Sequence, residues 1–195
     1  NADLILTKIV SKKQIVQSVA DWRAAGKTIA FTNGVFDILH HGHIVSLIAA
    51  AREADILIVG LNADVSVKRL KGETRPINNN EARSIVLAAL QMVNAVVLFE
   101  EDTPLELIKS IMPDVIIKGG DYSVDQIAGA KEVIANGGRV VINPILEGFS
   151  TTSIIEAAKK KVTYLEKLNI LLFLHFVISP TTEIIYPLWH TTKEN

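Results

Sequence analysis

The amino-acid sequence predicts an α/β fold built on a Rossmann-like, doubly wound parallel sheet. Short runs of apolar and β-branched residues alternate along the chain with longer segments whose apolar residues recur at helical spacing. Turn-forming Gly, Asn and Asp residues follow several of the apolar runs. Continuous apolar strands joined by helices are typical of a parallel sheet covered on both faces. In such a sheet the ligand crevice lies beyond the carboxyl ends of the strands.

The individual elements are predicted from the same periodicities. Strands are expected over residues 28–32, 56–61, 95–99, 115–118 and 139–143. Helices are expected over residues 12–25, 42–54, 80–93, 104–111, 125–136 and 150–161. Thr103 is the predicted N-cap of the fourth helix, Pro104 its first residue, and Gly137 is predicted to end the fifth.

The length of 195 residues suits one ordinary domain with some excess. Residues 1–26 are predicted to form an N-terminal helical segment, and residues 27–161 the α/β domain. Residues 162–195 form an apolar C-terminal extension that does not continue the βα pattern. Its apolar run is too short and too interrupted to span a bilayer. We therefore expect no stable membrane insertion and interpret the run as a docked element or a subunit contact.

Composition and charge argue against several classes of function. The net charge of −1 disfavours a general nucleic-acid binder and a protein drawn to anionic membranes. The absence of cysteine removes disulfides, thiol catalysis and cysteine-based metal sites, and fits a reducing compartment. No cationic stretch followed by an apolar one opens the sequence, so a secretory signal is not expected. The predicted location is cytoplasmic.

Residues 31–43 carry the strongest chemical signal in the chain. They read Phe-Thr-Asn-Gly-Val-Phe-Asp-Ile-Leu-His-His-Gly-His and lie where a strand is predicted to turn into a helix. Gly34 and Gly42 allow the backbone to approach a ligand closely, and the amides that open a helix attract anions. His40 and His43 are three residues apart, so both are expected on one face of the first helical turn. This pattern predicts phosphate chemistry.

Three histidines within four positions also raise the alternative of a metal site. His41, however, is expected to point away from its neighbours, and no cysteine is present to complete a zinc set. The metal alternative predicts stoichiometric zinc or nickel in the purified protein. We favour the phosphate interpretation.

Several motifs together resemble one enzyme family. Residues 34–43, Gly-Val-Phe-Asp-Ile-Leu-His-His-Gly-His, resemble the HxGH signature of the cytidylyltransferase-like nucleotidyltransferases. A second motif of that superfamily, a Ser-Thr-Thr run that opens a late helix, is matched by residues 148–155. Three further stretches resemble the adenylyltransferase domain of ADP-heptose synthases, the last of them containing Lys-Gly-Gly-Asp-Tyr. These stretches are residues 68–76, 99–104 and 115–122.

The resemblance covers about residues 10–160 and implies a nucleotidyltransferase domain. Such an enzyme transfers AMP from ATP to a heptose 1-phosphate, giving ADP-heptose and pyrophosphate for lipopolysaccharide core biosynthesis. Magnesium is implied as a cofactor, bound mainly through the triphosphate and not by direct side-chain ligation. Because the sequence leaves no room for the sugar kinase often fused to this domain, a separate heptose kinase is expected. A homo-oligomer, such as a dimer, is also expected.

The sequence motifs and the family resemblance together predict the residues of the site. Catalytic roles are expected for His40, His43, Lys71 and Asp37. Binding of the nucleotide or the sugar phosphate is expected for Thr32, Asn33, Gly34, Phe36, Gly42, Lys68, Arg83, Lys118, Gly119, Asp121, Ser150, Thr151 and Thr152.

Several of these roles have a structural alternative. Asp37 is interpreted as orienting a histidine or backbone amides, or as holding magnesium through water, with turn capping as an equal alternative. Lys68 and Lys71 are expected in a loop that closes over the triphosphate, whereas a basic run alone indicates a solvated surface. Arg83 is expected to face phosphate, and its alternative is a salt bridge along a helix.

Rival functions remain open from the sequence. The fold and chemistry would also serve a cytidylyltransferase acting on glycerol 3-phosphate or a related polyol phosphate, or an adenylyltransferase acting on flavin mononucleotide. A non-enzymatic rival is a nucleotide-binding regulator, against which the intact HxGH and Ser-Thr-Thr motifs count. Binding of ATP without pyrophosphate release would favour the regulator.

Overall fold

Among the residues that the structure describes, six strands form one sheet. They are β1 (Ile9–Val10), β2 (Ile29–Gly34), β3 (Ile56–Asn62), β4 (Ala95–Phe99), β5 (Val115–Gly119) and β6 (Arg139–Asn143). Every pairing is parallel, and the order across the sheet is β1-β4-β3-β2-β5-β6. This computed structural model describes residues 3–120, 122–144, 151–161 and 163. The chain divides into two units, Asn1–Thr151 and Thr152–Asn195, and the sheet belongs to the first.

Helices connect the strands. They are α1 (Asp3–Leu6), α2 (Lys12–Ala24), α3 (His41–Ala51), α4 (Asp64–Lys71), α5 (Asn80–Ala88), α6 (Leu105–Ile111) and α7 (Ala130–Ala135), with a 3-10 turn at Val124–Gln126. A further helix, α8, spans residues 151–161. Local sequence explains where two of them begin. Ser11 and Gln14 form a capping box at the start of α2, and the Asn79 side chain accepts the Ala82 amide at the start of α5.

The sheet buries both of its faces, as the predicted fold requires. Along β2, Ile29 and Phe31 pack with residues of α2, α6 and α7, whereas Ala30 packs with residues of α3 and α5. Successive side chains of a strand point to opposite faces, so this alternation places one layer of helices on each side. The predicted α/β, Rossmann-like, doubly wound parallel sheet is confirmed.

The order of the strands creates a switch point beside β2. The chain passes from β2 through β3 to β4 on one side of the sheet, and β5 then pairs with the other edge of β2. At such a point the connections leave in opposite directions and open a crevice at the carboxyl ends of the strands. The turn after β2 and the end of β5 both lie at this position.

One expected loop proves to be a helix. The prediction that Lys68 and Lys71 lie in a loop is wrong, because both are in the last turn of α4. Asp64 in the first turn and the basic residues in the last turn complement the helix dipole. Val67 is buried but Leu70 is about half exposed, so the apolar face of α4 is narrow and the basic residues dominate its pattern.

Other differences are local. The two-residue strand β1 was not predicted, because so short a run carries no periodicity. The helix expected over residues 125–136 is divided into the 3-10 turn and α7. Gly129, with φ of 80°, separates them, and a Cβ there would lie 2.6 Å from Ile108 Cγ2. Pro104 occupies the N-cap of α6 in place of the expected Thr103.

The N-terminal segment predicted as helical contains β1, which pairs with β4. The three domain boundaries themselves stay predictions. Apart from residue 163, the C-terminal extension lies outside the described residues. Within the described ranges, no helix combines the length and apolar character needed to cross a membrane.

Candidate functional site

The candidate site is built on the turn that joins β2 to α3. Phe36 in this turn has φ of 46°, a left-handed conformation that is rare for a bulky residue and is found mainly at functional sites. Its ring covers Gly34, where a Cβ would lie 3.0 Å from Phe36 Cε2. Thr32 and Asn33 lie in the turn-proximal part of β2, which ends at Gly34, and Thr32 is buried. The chain therefore leaves the sheet in a tightly packed bend.

The two histidines of the HxGH motif lie together, as predicted. The rings of His40 and His43 stack with centroids 3.9 Å apart and planes 25° apart. The Phe36 ring lies 5.3 Å from the ring of His43. His40 is the N-cap of α3, and Gly42 is the second residue of that helix. Because a helix N-terminus favours anions, this pair lies where a phosphate is attracted.

Burial disfavours the charged form of both imidazoles. Burial lowers the pKa of His40. Burial, and after it the neighbouring His40, lower the pKa of His43 to about 4, although a backbone hydrogen bond at Ile38 acts in the opposite direction. Nδ1 of His43 is buried and has no hydrogen-bond partner among the described residues. Because a neutral imidazole carries only one N–H, each ring can donate at most one hydrogen bond, and net positive charge has to come from other residues.

The metal alternative requires several ligand side chains close together. His41 is exposed, and no group of three or more His, Cys, Asp or Glu side chains among them is arranged to hold a metal ion.

Asp37 is a buried anchor for a distant segment. Its carboxylate accepts the amides of Ile77 and Asn78 at 2.8 and 2.9 Å and Nε of Arg75 at 2.7 Å. The Asn78 side chain donates in turn to the Asp37 carbonyl at 2.6 Å. Burial alone would raise the pKa of Asp37, but the amides and Arg75 outweigh it and hold the pKa below its usual value. The structure thus favours the expected role in orienting backbone amides, and it makes Asp37 a positioning residue whose carboxylate is fully engaged within the protein.

Arg83 does not face an open site, which corrects the prediction that it faces phosphate. Its guanidinium is buried and donates to the carbonyls of Val35 and Asn78, and to the side chains of Asp64 and Asn80. These distances are 2.6 to 3.0 Å. Neither the phosphate role nor a surface salt bridge describes this arrangement. Arg83 connects the β2–α3 turn to the beginnings of α4 and α5.

The lysines Lys68 and Lys71 lie in the last turn of α4, the helix that follows β3. Lys68 and Lys71 are both exposed. Lys68 Nζ lies 4.0 Å from Glu73, which is also exposed. An ion pair of this length and exposure contributes little to stability. Gly72 ends the helix with φ of 96°. These lysines are therefore available to an anion, and their closing over a triphosphate remains a prediction.

Lys118 approaches the site from β5. Its Nζ donates to Asn33 Oδ1 at 3.3 Å and lies 5.5 Å from the centre of the Tyr122 ring. A Cβ on the adjacent Gly119 would be 3.5 Å from Ser46 Oγ in α3. The end of β5 is thereby joined to β2 and packed against the helix that carries His43.

The structure describes only some of the remaining predicted site residues. Asp121 and Ser150 lie outside the described residues. The Thr151 hydroxyl donates to the Ile38 carbonyl at 3.3 Å, which brings it to the β2–α3 turn. Thr152 is exposed in the second unit.

Sequence reasoning missed the partners of Asp37. Arg75, Ile77 and Asn78 follow the basic stretch, and nothing in their local pattern connects them to the turn after β2. A carboxylate beside a phosphate site needs hydrogen-bond donors that compensate its charge, and this requirement could have predicted that Asp37 has such partners.

Comparisons with known proteins agree with this geometry. Residues 31–157 match the cytidylyltransferase-like family. The protein named bifunctional protein HldE of Rhodopseudomonas palustris is 52% identical over 155 residues, which cover 80% of this chain and 32% of that protein. The protein of the same name from Klebsiella pneumoniae is 53% identical over 152 residues, covering 78% and 32%. The chain thus spans about a third of the length of these curated relatives.

A solved structure is also similar. The lipopolysaccharide core biosynthesis protein from Thermoplasma volcanium superposes with a TM-score of 0.51 at 30% sequence identity. The match covers 62% of this chain and 98% of that one.

The pKa of His43 predicts how stability changes with pH. The unfolded chain binds a proton on this residue near pH 6.5, whereas the folded protein resists it until about pH 4. Because the folded-state pKa is the lower one, the free energy of unfolding should decrease by ~1–2 kcal/mol as the pH is lowered from 6.5 to 4. This figure is reduced for the partial exposure of the ring. Urea unfolding at several pH values measures this. In the variant His43→Asn the slope should be smaller, and an equal slope in both proteins would contradict the assignment.

The Asp37 contacts predict a large effect of a small change. In Asp37→Asn an amide NH₂ faces the donors from Arg75, Ile77 and Asn78, so we expect a loss of roughly 2–4 kcal/mol in the free energy of unfolding. Urea denaturation is the measurement. Asp125→Asn, in the exposed 3-10 turn, is the matched control and should change stability by less than about 0.5 kcal/mol. Equal effects in the two variants would contradict the anchoring role.

Proposed function

Because this chain belongs to the cytidylyltransferase-like family, we propose that it transfers an adenylyl group from ATP to a heptose 1-phosphate, producing ADP-heptose and pyrophosphate. The observation that carries the nucleotidyl transfer is the stacked His40 and His43 pair at the N-terminus of α3, located at the switch point of the sheet. The heptose substrate is supported by the relatives named HldE, by the Lys-Gly-Gly-Asp-Tyr stretch, and by the similar Thermoplasma volcanium protein, which is named for lipopolysaccharide core biosynthesis.

The proposed reaction requires no protein nucleophile. An oxygen of the sugar 1-phosphate attacks the α-phosphorus of ATP in line, a P–O bond forms, and the bond to pyrophosphate breaks. The protein has to align two anions that repel each other and stabilise the charge that moves onto the leaving pyrophosphate. We assign the second task to His40, His43 and the amides that open α3. A neutral imidazole keeps one N–H, and a hydrogen bond from it to an ionised phosphate is charge-assisted.

The lysines of α4 supply positive charge in this proposal. Lys68 and Lys71 are exposed at the end of a helix whose preceding strand, β3, pairs with β2, and we assign them to the triphosphate. Magnesium, bound mainly through the triphosphate, would further neutralise its charge. The described side chains fit that limited role, because the Asp37 carboxylate already accepts hydrogen bonds from Arg75 and Ile77.

We also propose a cytoplasmic homo-oligomer, such as a dimer, that receives heptose 1-phosphate from a heptose kinase. The relatives are named as bifunctional proteins.

Pyrophosphate release tests the proposed function. The protein is incubated with magnesium and either ATP or CTP, each combined with heptose 1-phosphate, glycerol 3-phosphate or flavin mononucleotide. Release with ATP and heptose 1-phosphate alone is the expected result. Activity with another pair would retain the chemistry and replace the substrate, and ATP binding without release from any pair would favour a nucleotide-binding regulator.

Replacing the buried histidine tests the catalytic assignment. His43→Ala should lower kcat by roughly 100-fold or more with little change in the far-ultraviolet circular dichroism, as expected when transition-state stabilisation is lost. Steady-state kinetics measure the effect. A kcat near that of the wild type would refute the role of His43.

Replacing a lysine of α4 tests triphosphate binding. Lys71→Ala should raise the KM for ATP about 10-fold with a smaller change in the KM for heptose 1-phosphate, because a charge-assisted contact to phosphate is lost. Lys13→Ala, an exposed lysine on α2, is the control and should leave both constants unchanged. An unchanged KM for ATP in Lys71→Ala would contradict the proposed contact between Lys71 and the triphosphate.

A further inference from the structure

Lys118 is a half-buried cation for which the described residues provide no acidic partner. Its Nζ donates one hydrogen bond, to the neutral Asn33 side chain, and otherwise lies 5.5 Å from the Tyr122 ring. The contact to Asn33 is long at 3.3 Å, and burial lowers the pKa of Lys118. A charge placed in such surroundings is costly for folding unless an anion compensates it. This arrangement therefore indicates a bound anion more strongly than a structural role.

The position of Lys118 separates it from the other cations of the site. In the sheet, β3 and β5 lie on opposite sides of β2. Lys68 and Lys71 belong to α4, which follows β3, whereas Lys118 is the fourth residue of β5. Asn33 on β2 and Ser46 on α3 bring the end of β5 to the HxGH turn from its other side. Positive charge is thus available at both flanks of the stacked histidines.

Nucleotidyl transfer brings two anions to this turn, and two cationic flanks match them. We propose that Lys118 binds the phosphate group of the acceptor, the sugar phosphate that attacks the nucleotide, while the α4 lysines serve the triphosphate. This inference rests on the nucleotidyl transfer of the proposed function, but it does not depend on the acceptor being a heptose.

The consequence for the reaction is electrostatic. The acceptor phosphate must approach the α-phosphorus against the charge of the triphosphate, and a cation beside its non-attacking oxygens reduces that repulsion. Lys118 keeps its proton throughout. One phosphate oxygen forms the new P–O bond, and pyrophosphate leaves with the electron pair of the bond that breaks.

The variant Lys118→Met separates this role from the alternatives, because it removes the charge and keeps a chain of similar length. We expect the KM for the acceptor to rise at least ~10-fold, with the KM for ATP changing less than ~3-fold. The midpoint of urea unfolding should stay unchanged or rise, since an uncompensated buried charge is removed. Lys118→Arg should recover part of the acceptor affinity. Lys131→Met, an exposed lysine on α7, is the matched control.

A binding measurement makes the test independent of turnover. Calorimetry on the full chain compares the dissociation constants of heptose 1-phosphate and of ATP for the wild type, Lys118→Met and Lys131→Met. A selective loss for heptose 1-phosphate in Lys118→Met supports the inference. An equal or larger loss for ATP, no loss for the acceptor, or a general loss of folding in both Lys118 variants overturns it.

Failure of the proposed function gives a different result. If the wild type ignores heptose 1-phosphate but uses another phosphate acceptor, the heptose assignment is lost and the Lys118 variants are compared on that acceptor. If the wild type neither binds nor converts any of the three acceptors, both the proposed function and the role of Lys118 are overturned.

Discussion

The buried carboxylate of Asp37 is the interaction on which the arrangement of the candidate site depends. It lies in the turn after β2 and receives hydrogen bonds from a segment that enters the structure only after α4. A buried charge is tolerable only when its partners are in place. The turn and residues 75–78 are therefore held together as one unit. Arg83 reinforces this unit from α5 by binding the Val35 and Asn78 carbonyls on either side of it.

This framework separates the residues that hold the site from those to which the proposed function assigns a ligand. Asp37 and Arg83 use their charges within the protein. Burial is the first cause that lowers the pKa of both stacked histidines and so disfavours their charged forms. In the proposed reaction, the positive charge that a pair of phosphates needs comes from Lys118 on β5 and from the lysines of α4. The buried charges of Asp37 and Arg83 thus stabilise the site, and the lysines can bind anions.

Features that depend on residues close together in the chain were predicted better than features that depend on contacts between distant residues. The central strands were predicted closely, because a buried parallel strand must be apolar on both faces. Helix α4 was missed because only a narrow apolar face, around Val67, opposes its basic residues. The division of the helix predicted over residues 125–136 depends on the packing of Gly129 against Ile108, two residues that are distant in sequence.

By itself, the sequence determined the fold class, the position of the histidines at the end of a strand, and the spacing that allows both to face one phosphate. Those properties follow from backbone periodicity and from residues close together in the chain. Only the tertiary structure decided that Asp37 holds a loop, that Arg83 is internal, and that Lys118 lies beside Asn33. The partners in these contacts are separated by 38, 48 and 85 residues, respectively, along the chain. The order of strands in the sheet brings them together, and no local pattern encodes that order.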